Sequence, residues 1–203
     1  MHKPLFVTGI GTDIGKTLIS SILVEKLKCD YWKPVQSGDL DNSDTMKVKR
    51  LVSNTQTIFH AETYRLTQPY SPHKSAILDG IIIDEKVIIA PKTENQLLIE
   101  GAGGLMVPLN GHCLIIDLIK QLNAEVILVS QNYLGSINHT LLSIEALKQR
   151  DIPVKGIIFN GEENASTEDY IITYTGVKHL GRVPQLATVD KNTIADAGKY
   201  ISL

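Results

Sequence analysis

Long apolar stretches are missing from this chain. No uninterrupted run approaches the ~20 residues of a bilayer-crossing helix, and even Ala76–Ala90 is broken by Asp79, Asp84, Glu85 and Lys86. Membrane insertion is therefore not expected. Cysteine is scarce: Cys29 and Cys113 have neither metal-ligand spacing nor a disulfide framework around them, which argues against zinc and against an oxidised scaffold. Aromatic residues make up 5% of the chain and do not interleave with basic ones, so a stacking platform for single-stranded nucleic acid is absent from the pattern. An excess of one charge is missing too. Twenty Lys and Arg against 22 Asp and Glu leave a net charge of −2, too little to draw in nucleic acid or an anionic lipid surface, so any anion site must be local. The six histidines show no close pair at ligand spacing. Met1-His2-Lys3-Pro4 leads into the short apolar stretch Leu5–Ile10 without a cleavage signal, and the expectation is a cytoplasmic chain.

What is present is ordinary globular material. A length of 203 residues, 43% of them hydrophobic, suits one domain spanning 1–203 with a substantial core. Short β-branched runs alternate with segments of helical period, which predicts an α/β domain with a mostly parallel sheet of about six to seven strands and helices on both faces. The predicted strands are Pro4–Thr8, Tyr31–Pro34, Gln96–Glu100, Glu125–Ser130, Val154–Asn160 and His179–Val183, with Thr63–Leu66 as a further one. Helices are predicted over Lys16–Lys28, Cys113–Leu122 and Ile137–Arg150, the last capped by Ser136. Another starts at Ser71-Pro72 and stops near Gly80, while Gly38–Ala61 and Gly161–Thr167 read as polar loops.

The most specific signal is Leu5 to Thr17, a strand, a glycine loop (Gly9, Gly11, Gly15) and a helix opening with Lys16-Thr17. A phosphate-binding loop requires glycines where backbone N–H groups wrap oxygens, a lysine for the terminal phosphates and a hydroxyl for Mg²⁺. All three occur here, although Ile10 stands where the general pattern has its first glycine. Partitioning and metal-pump ATPases carry an additional lysine near the loop's start, and Gly11 occupies that place here.

Two further segments point at the same crevice, because ligands of open α/β sheets collect at the carboxyl ends of strands. Tyr31–Gly38 ends a strand with Lys33 and then breaks into a loop holding Ser37; Asn42-Ser43-Asp44 follows, with Ser43 placed to cap a helix. Leu97–Gly104 is a buried-looking strand ending in Glu100 and three glycines. Mg²⁺ takes hard oxygen ligands, so Thr17, Asp44 and Glu100 form a sensible set beside bound phosphate.

Together these blocks resemble the dethiobiotin synthetase family. Gly9–Thr17 resembles its loop, including the unusual glycine spacing, and Lys33–Gly38, Asn42–Asp44, Ser71–His73, Glu100–Gly104, Leu134–Thr140 and Gly198–Ile201 resemble its other motifs in family order. The resemblance covers the whole chain. It implies a P-loop NTPase-type fold, a homodimer, and ATP- and Mg²⁺-dependent carboxylation of 7,8-diaminononanoate with CO2 to dethiobiotin, through a carbamate and a carbamic-phosphoric anhydride. It further implies that Lys16 holds the terminal phosphates within a cradle of Asp13, Ile14, Gly15, Thr17 and Leu18, that Lys33 assists phosphoryl transfer, and that Thr17, Asp44 and Glu100 bind the metal beside Gly101, Ala102 and Gly103. Thr12 and Ser37 would face the carbamate or diamine. Asn160 with Gly161 would read adenine, lined by Pro184, Gln185 and Leu186. Leu134, Gly135, Ser136 and Asn138 would open a helix onto the substrate's distal carboxylate, supplied across the dimer by the partner subunit. Gly11 stands in place of the family's usual loop aspartate, and Tyr133 where a basic residue is common.

Two other classes share the loop: a regulatory or partitioning ATPase, and a non-catalytic nucleotide-binding module. The first lacks its lysine at Gly11, and the second is hard to reconcile with an intact Lys16, Thr17, Asp44 and Glu100. From the loop alone the reading stops at phosphoryl transfer to an unnamed acceptor.

Overall fold

A computed structural model describes residues 3–203; Met1 and His2, the start of the segment read above for a leader, lie outside the described residues. The order of elements is β1 (Leu5–Gly9), α1 (Lys16–Leu27), β2 (Asp30–Trp32), β3 (Val35–Ser37), α2 (Asp44–Leu51), β4 (Phe59–His60), β5 (Tyr64–Leu66), α3 (Pro72–Asp79), β6 (Leu97–Gly104), α4 (Ile115–Gln121), β7 (Glu125–Ser130), α5 (Ser136–Gln149), β8 (Val154–Asn160), α6 (Ala165–Thr175), β9 (His179–Val183) and α7 (Lys191–Ala197). The main sheet has seven strands in the order β4-β2-β6-β1-β7-β8-β9. Every pairing in it is parallel. No helix among the described residues is long and apolar enough to cross a membrane.

Strand parity sorts the core into two layers. Successive side chains of a strand point to opposite faces, so Leu5, Val7, Leu98, Ile127, Val129 and Ile158 pack toward α1, α2 and α7 through Ile19, Ile22, Val48 and Ile194. Phe6, Leu97, Ile99, Val126, Leu128 and Phe159 face the other way, toward α4, α5 and α6 through Ile115, Ile119, Ile144 and Ile171. A parallel sheet covered on both sides needs such continuously apolar strands.

Several boundaries differ from the sequence expectation for identifiable reasons. Pro34 has no N–H to donate to a ladder, and it splits the expected Tyr31–Pro34 strand: β2 ends at Trp32, and the chain restarts as β3, which pairs with β5 in a separate two-stranded sheet. The strand foreseen at Thr63–Leu66 thus exists, outside the main sheet. Ser136 is not the cap of α5; Gly135, left-handed at φ 102°, holds that position and Ser136 is the first helical residue. Ala165–Thr175 is helical where Gly161–Thr167 reads as loop, capped by Asn164 Oδ1, which accepts from the Thr167 N–H. Within Gly38–Ala61, Ser43 caps α2 as foreseen, accepting from the Met46 N–H.

The C-terminal Gly198–Ile201 block has a structural task. Lys26 Nζ donates to the carbonyls of Gly198 (2.8 Å) and Ile201 (2.7 Å), and the Ser202 N–H donates to Leu180 O. Gly181 sits beneath it at φ 134°, with its missing Cβ directed at the Tyr200 carbonyl. Gly181→Ala therefore meets both backbone strain and a collision, and is expected to lower unfolding free energy by at least ~1–3 kcal/mol. Urea unfolding of the variant is the check; an unchanged midpoint would contradict this packing.

Candidate active site

The glycine loop is shaped by two left-handed residues, Asp13 (φ 56°) and Gly15 (φ 89°). Such a conformation turns successive N–H groups into one concavity. Gly15 caps α1 without a side-chain bond, and the first turn holds no acidic residue. The helix N-terminus thus presents free donors and the positive end of its dipole to the crevice. A Cβ at Gly15 would strike the Asn160 amide, whose Nδ2 donates to Ile14 O at 3.0 Å. Asn160 therefore fastens the loop to the end of β8.

Lys16 is nearly buried, and its Nζ donates to the Gly11 carbonyl at 3.0 Å. Burial lowers its pKa, with Lys33 nearby acting in the same sense and Glu100 and Asp44 opposing. An arriving phosphate would supply the countercharge that the lysine lacks.

Opposite the loop lies a closed charge network. Glu100 is 1% exposed in the middle of β6, which continues past the expected end at Glu100 to Gly104. Its Oε1 accepts from Thr17 Oγ1 at 2.8 Å and from Lys33 Nζ at 3.3 Å, and its Oε2 accepts from Tyr31 Oη at 2.9 Å. Lys33, 3% exposed, also reaches Asp44 Oδ2 at 2.8 Å and the Gly101 carbonyl at 3.3 Å. Burial works against the Lys33 charge, but Glu100 and Asp44 outweigh it and raise its pKa, so Lys33 stays an ammonium. Asp44 is held below the usual carboxylate range: burial opposes this, and Lys33 and then Lys47 overcome it.

One cavity of about 770 Å³ gathers these groups, with Thr12, Lys16, Thr17, Lys33, Asp44 and Glu100 on its walls. Ser37 lines it as well, with a buried hydroxyl that has no hydrogen-bond partner among the described residues. Asp13, Gly15, Ala102 and Gly103 complete the phosphate side. Ile14 is buried under the loop, Leu18 packs into the α1 core, and Gly101 fits against Phe6, where a Cβ would collide with the ring.

Asn160, Gly161 and Pro184–Leu186 do not line this cavity. Asn160 ends β8, Gly161 is left-handed just beyond it, and Pro184–Leu186 follow β9, so they flank the loop along the adjoining strand ends. The Leu134–Asn138 segment lies apart from the cavity too. Leu134 is fully exposed, Ser136 is buried, and Asn138 is exposed. Next to it Tyr133 and His139 line a second cavity of about 530 Å³ shared with Thr12 and Asp13, and Tyr133 Oη lies 2.7 Å from His139 Nδ1. α5 starts there with neither a capping side chain nor an acid in its first turn.

Sequence reasoning missed three participants. Tyr31 supports Glu100 from the core. Gln36 is buried, donates from Nε2 to Gly38 O (3.0 Å) and accepts the Asp44 N–H on Oε1 (3.2 Å), pinning the loop to α2. Lys47, one turn after Asp44, lies 3.4 Å from Asp44 Oδ1. Gln36 had a signal, standing inside the Lys33–Gly38 segment; Tyr31 reads from sequence as an ordinary core position.

The donor set suits a small hard dication. Among the described residues no three His, Cys, Asp or Glu side chains converge, so a metal here would have two carboxylates and the Thr17 hydroxyl at most, and would complete its shell with phosphate oxygens and water. That is the habit of Mg²⁺. The Lys33 ammonium, placed between Asp44 and Glu100, shows that the two carboxylates converge on a cation.

Known proteins bear on this geometry. A family model described as an AAA domain matches residues 3–193. A protein of Christiangramia forsetii named ATP-dependent dethiobiotin synthetase BioD is 53% identical over 196 residues, 97% of this chain and 94% of the relative. One of the same name from Cytophaga hutchinsonii is 48% identical, covering 95% of this chain and 93% of its own length. Among solved structures, a ParA family ATPase from Chlorobium tepidum has a TM-score of 0.60 at 12% identity, covering 98% of this chain and 100% of its own. The cell division ATPase MinD of Pyrococcus furiosus has a TM-score of 0.61 at 10% identity, covering 98% of both chains. At such identity the two structures speak to the fold alone, a P-loop NTPase architecture.

Proposed function

The chain belongs to the ATP-dependent dethiobiotin synthetase family, and on that premise we propose that it closes the ureido ring of dethiobiotin from 7,8-diaminononanoate, CO2 and ATP. The observation that carries this reading is the single cavity in which the phosphate loop, two buried or nearly buried lysines and the Asp44–Glu100 pair meet.

One amine of the substrate adds to CO2 and loses a proton, giving a carbamate. The carbamate oxygen takes the γ-phosphoryl group of ATP with release of ADP, and the second amine then attacks the carbamoyl carbon, loses a proton and expels phosphate as the ring closes. Two anions must meet in the middle step, and their repulsion is the principal electrostatic obstacle. Lys16 reaches the terminal phosphates from the helix N-terminus. Lys33 supplies a fixed positive charge on the acceptor side; as a permanently charged group it acts by hydrogen bonding and charge and does not abstract a proton. Thr12 and the unpartnered Ser37 hydroxyl supply donors for the carbamate. Mg²⁺, held by Thr17, Asp44 and Glu100, would neutralise charge on the transferred phosphoryl group. The unfilled N-terminus of α5 suits the distal carboxylate, with the Tyr133–His139 pair where the family commonly has a basic residue. A homodimer would bring that helix to the partner's site, and the cytoplasm, where these small substrates occur, is the matching location.

Asn160 has a double task in this reading: it fastens Ile14 and presents its remaining amide groups to adenine. Asn160→Ala is expected to raise KM for ATP by about tenfold or more and to relax discrimination against GTP. Steady-state kinetics with both nucleotides check it; an unchanged KM would remove Asn160 from the nucleotide site. The function itself is tested by following ADP release in the presence of Mg²⁺. ADP is expected only when diamine and bicarbonate are both supplied, and diamine-independent hydrolysis at the same rate would refute the synthetase reading.

A further inference from the structure

Glu100 is a buried carboxylate with both oxygens engaged, and only one of its three partners belongs to neither the phosphate loop nor the lysine network. Tyr31 is completely buried in β2, adjacent to β6, with its ring against Phe59 at a centroid distance of 5.9 Å. Among the described residues its hydroxyl has one partner, donating to Glu100 Oε2 at 2.9 Å. Thr17 and Lys33 both take Oε1. The carboxylate is thus held at its two ends by groups of different kinds: from below by a rigid aromatic in the core, from above by groups that ATP and metal would rearrange.

The geometry points to Tyr31 as a positioning residue of the metal site: by donating to Oε2 it fixes the plane of the Glu100 carboxylate and keeps Oε1 turned toward the phosphate cavity. A carboxylate freed of that bond could rotate about its last torsion, a broad and shallow one, and would meet an incoming cation in mixed orientations. Partners of this kind, one shell behind a ligand, commonly tune metal affinity by 10–100-fold. Tyr31 does not touch substrate and is not a catalytic residue. The inference rests on the reading of Thr17, Asp44 and Glu100 as Mg²⁺ ligands.

Tyr31→Phe removes the hydroxyl and keeps the ring against Phe59. Mn²⁺ binding to the complex of protein and ADP, read by paramagnetic resonance, is expected to weaken by about tenfold, and the Mg²⁺ concentration for half-maximal turnover to rise in parallel, with lost turnover recovered as Mg²⁺ is raised. A purely structural role would lower thermal stability and leave both metal titrations unmoved, and that result would overturn the proposal. Should the variant fold poorly, wild-type protein carrying ¹³Cζ-tyrosine decides. The resonance of the one fully buried tyrosine is expected to shift as Mg²⁺ saturates the ADP complex, and a stationary resonance would count against coupling to the metal. Wild-type protein that binds no Mn²⁺ with ADP would instead overturn the metal reading beneath it.

Discussion

Lys33→Ala is expected to cost turnover and stability together. The ammonium is buried between Asp44 Oδ2 and Glu100 Oε1, and truncating it leaves two carboxylates, one fully buried, without their shared cation. Removing one member of a buried ion pair typically destabilises by about 3–5 kcal/mol, because the uncompensated charge remains. Turnover should fall on the order of 10²–10³-fold through kcat, the usual effect of removing a group that stabilises charge in the transition state. The pH dependence gives the loss a signature. Asp44 has a depressed pKa in the fold, so its pairing contributes stability above its unfolded pKa and loses it as pH falls through the folded value. The stability gap between wild type and variant should therefore be widest near neutrality and narrow in acid. Lys33 works in the opposite sense: its raised pKa contributes stability that is complete below the ordinary lysine value and is lost as pH rises through the folded one. Added Mg²⁺ should stabilise the variant more than wild type, since it restores a cation to the pair. Urea unfolding across pH, with and without Mg²⁺, checks all of this. A variant with wild-type stability at neutral pH would show that the pair is not charged as described.

Lys16→Ala should behave differently. Among the described residues its ammonium bonds the Gly11 carbonyl alone, and burial, which lowers its pKa, means that the unliganded fold holds its charge at some cost. The substitution is expected to leave unliganded stability within about 1 kcal/mol of wild type, because the packing lost with the buried stem is offset by removal of a desolvated charge. Nucleotide linkage should largely vanish: ATP at a hundredfold excess over its Kd stabilises a protein by about 2.7 kcal/mol, and most of that increment should be lost. Turnover should drop on the order of 10²–10³-fold or further. Thermal unfolding with and without Mg²⁺-ATP, beside single-turnover kinetics, separates these effects. A variant with an intact nucleotide-dependent shift would remove Lys16 from the phosphate site.

The contrast between the two lysines shows what the sequence could disclose. Lys16 belongs to a contiguous motif whose strand, glycines and helix are local, so its role is legible from spacing. Lys33 and Glu100 are brought together because β2 and β6 are neighbours in the sheet, a pairing that no local period encodes, and Asp44 joins them from the start of α2, which Gln36 holds in place. Their convergence was an expectation drawn from the chemistry of Mg²⁺ and from family resemblance. Tyr31 stayed invisible for a related reason: its place in a short, fully buried strand puts its ring in the core and says nothing of where its hydroxyl ends. Elements built on unbroken β-branched apolar runs, such as β7 and β8, matched the prediction closely. β4 has two residues and is too short to carry a pattern. α7 was missed although its capping box was readable, Asp190 and Thr193 exchanging side-chain bonds with each other's backbone N–H at 2.9 Å.

If one cavity couples phosphoryl transfer to carbon fixation, the two products must appear in a fixed ratio. Incubating the purified protein with ATP, Mg²⁺, ¹⁴C-bicarbonate and 7,8-diaminononanoate, and measuring acid-stable label against ADP, reads that ratio. Label is expected to be retained in a ureido product, one ADP for each carbon fixed. ADP formed with no acid-stable label, the diamine being present and saturating, would refute the coupling.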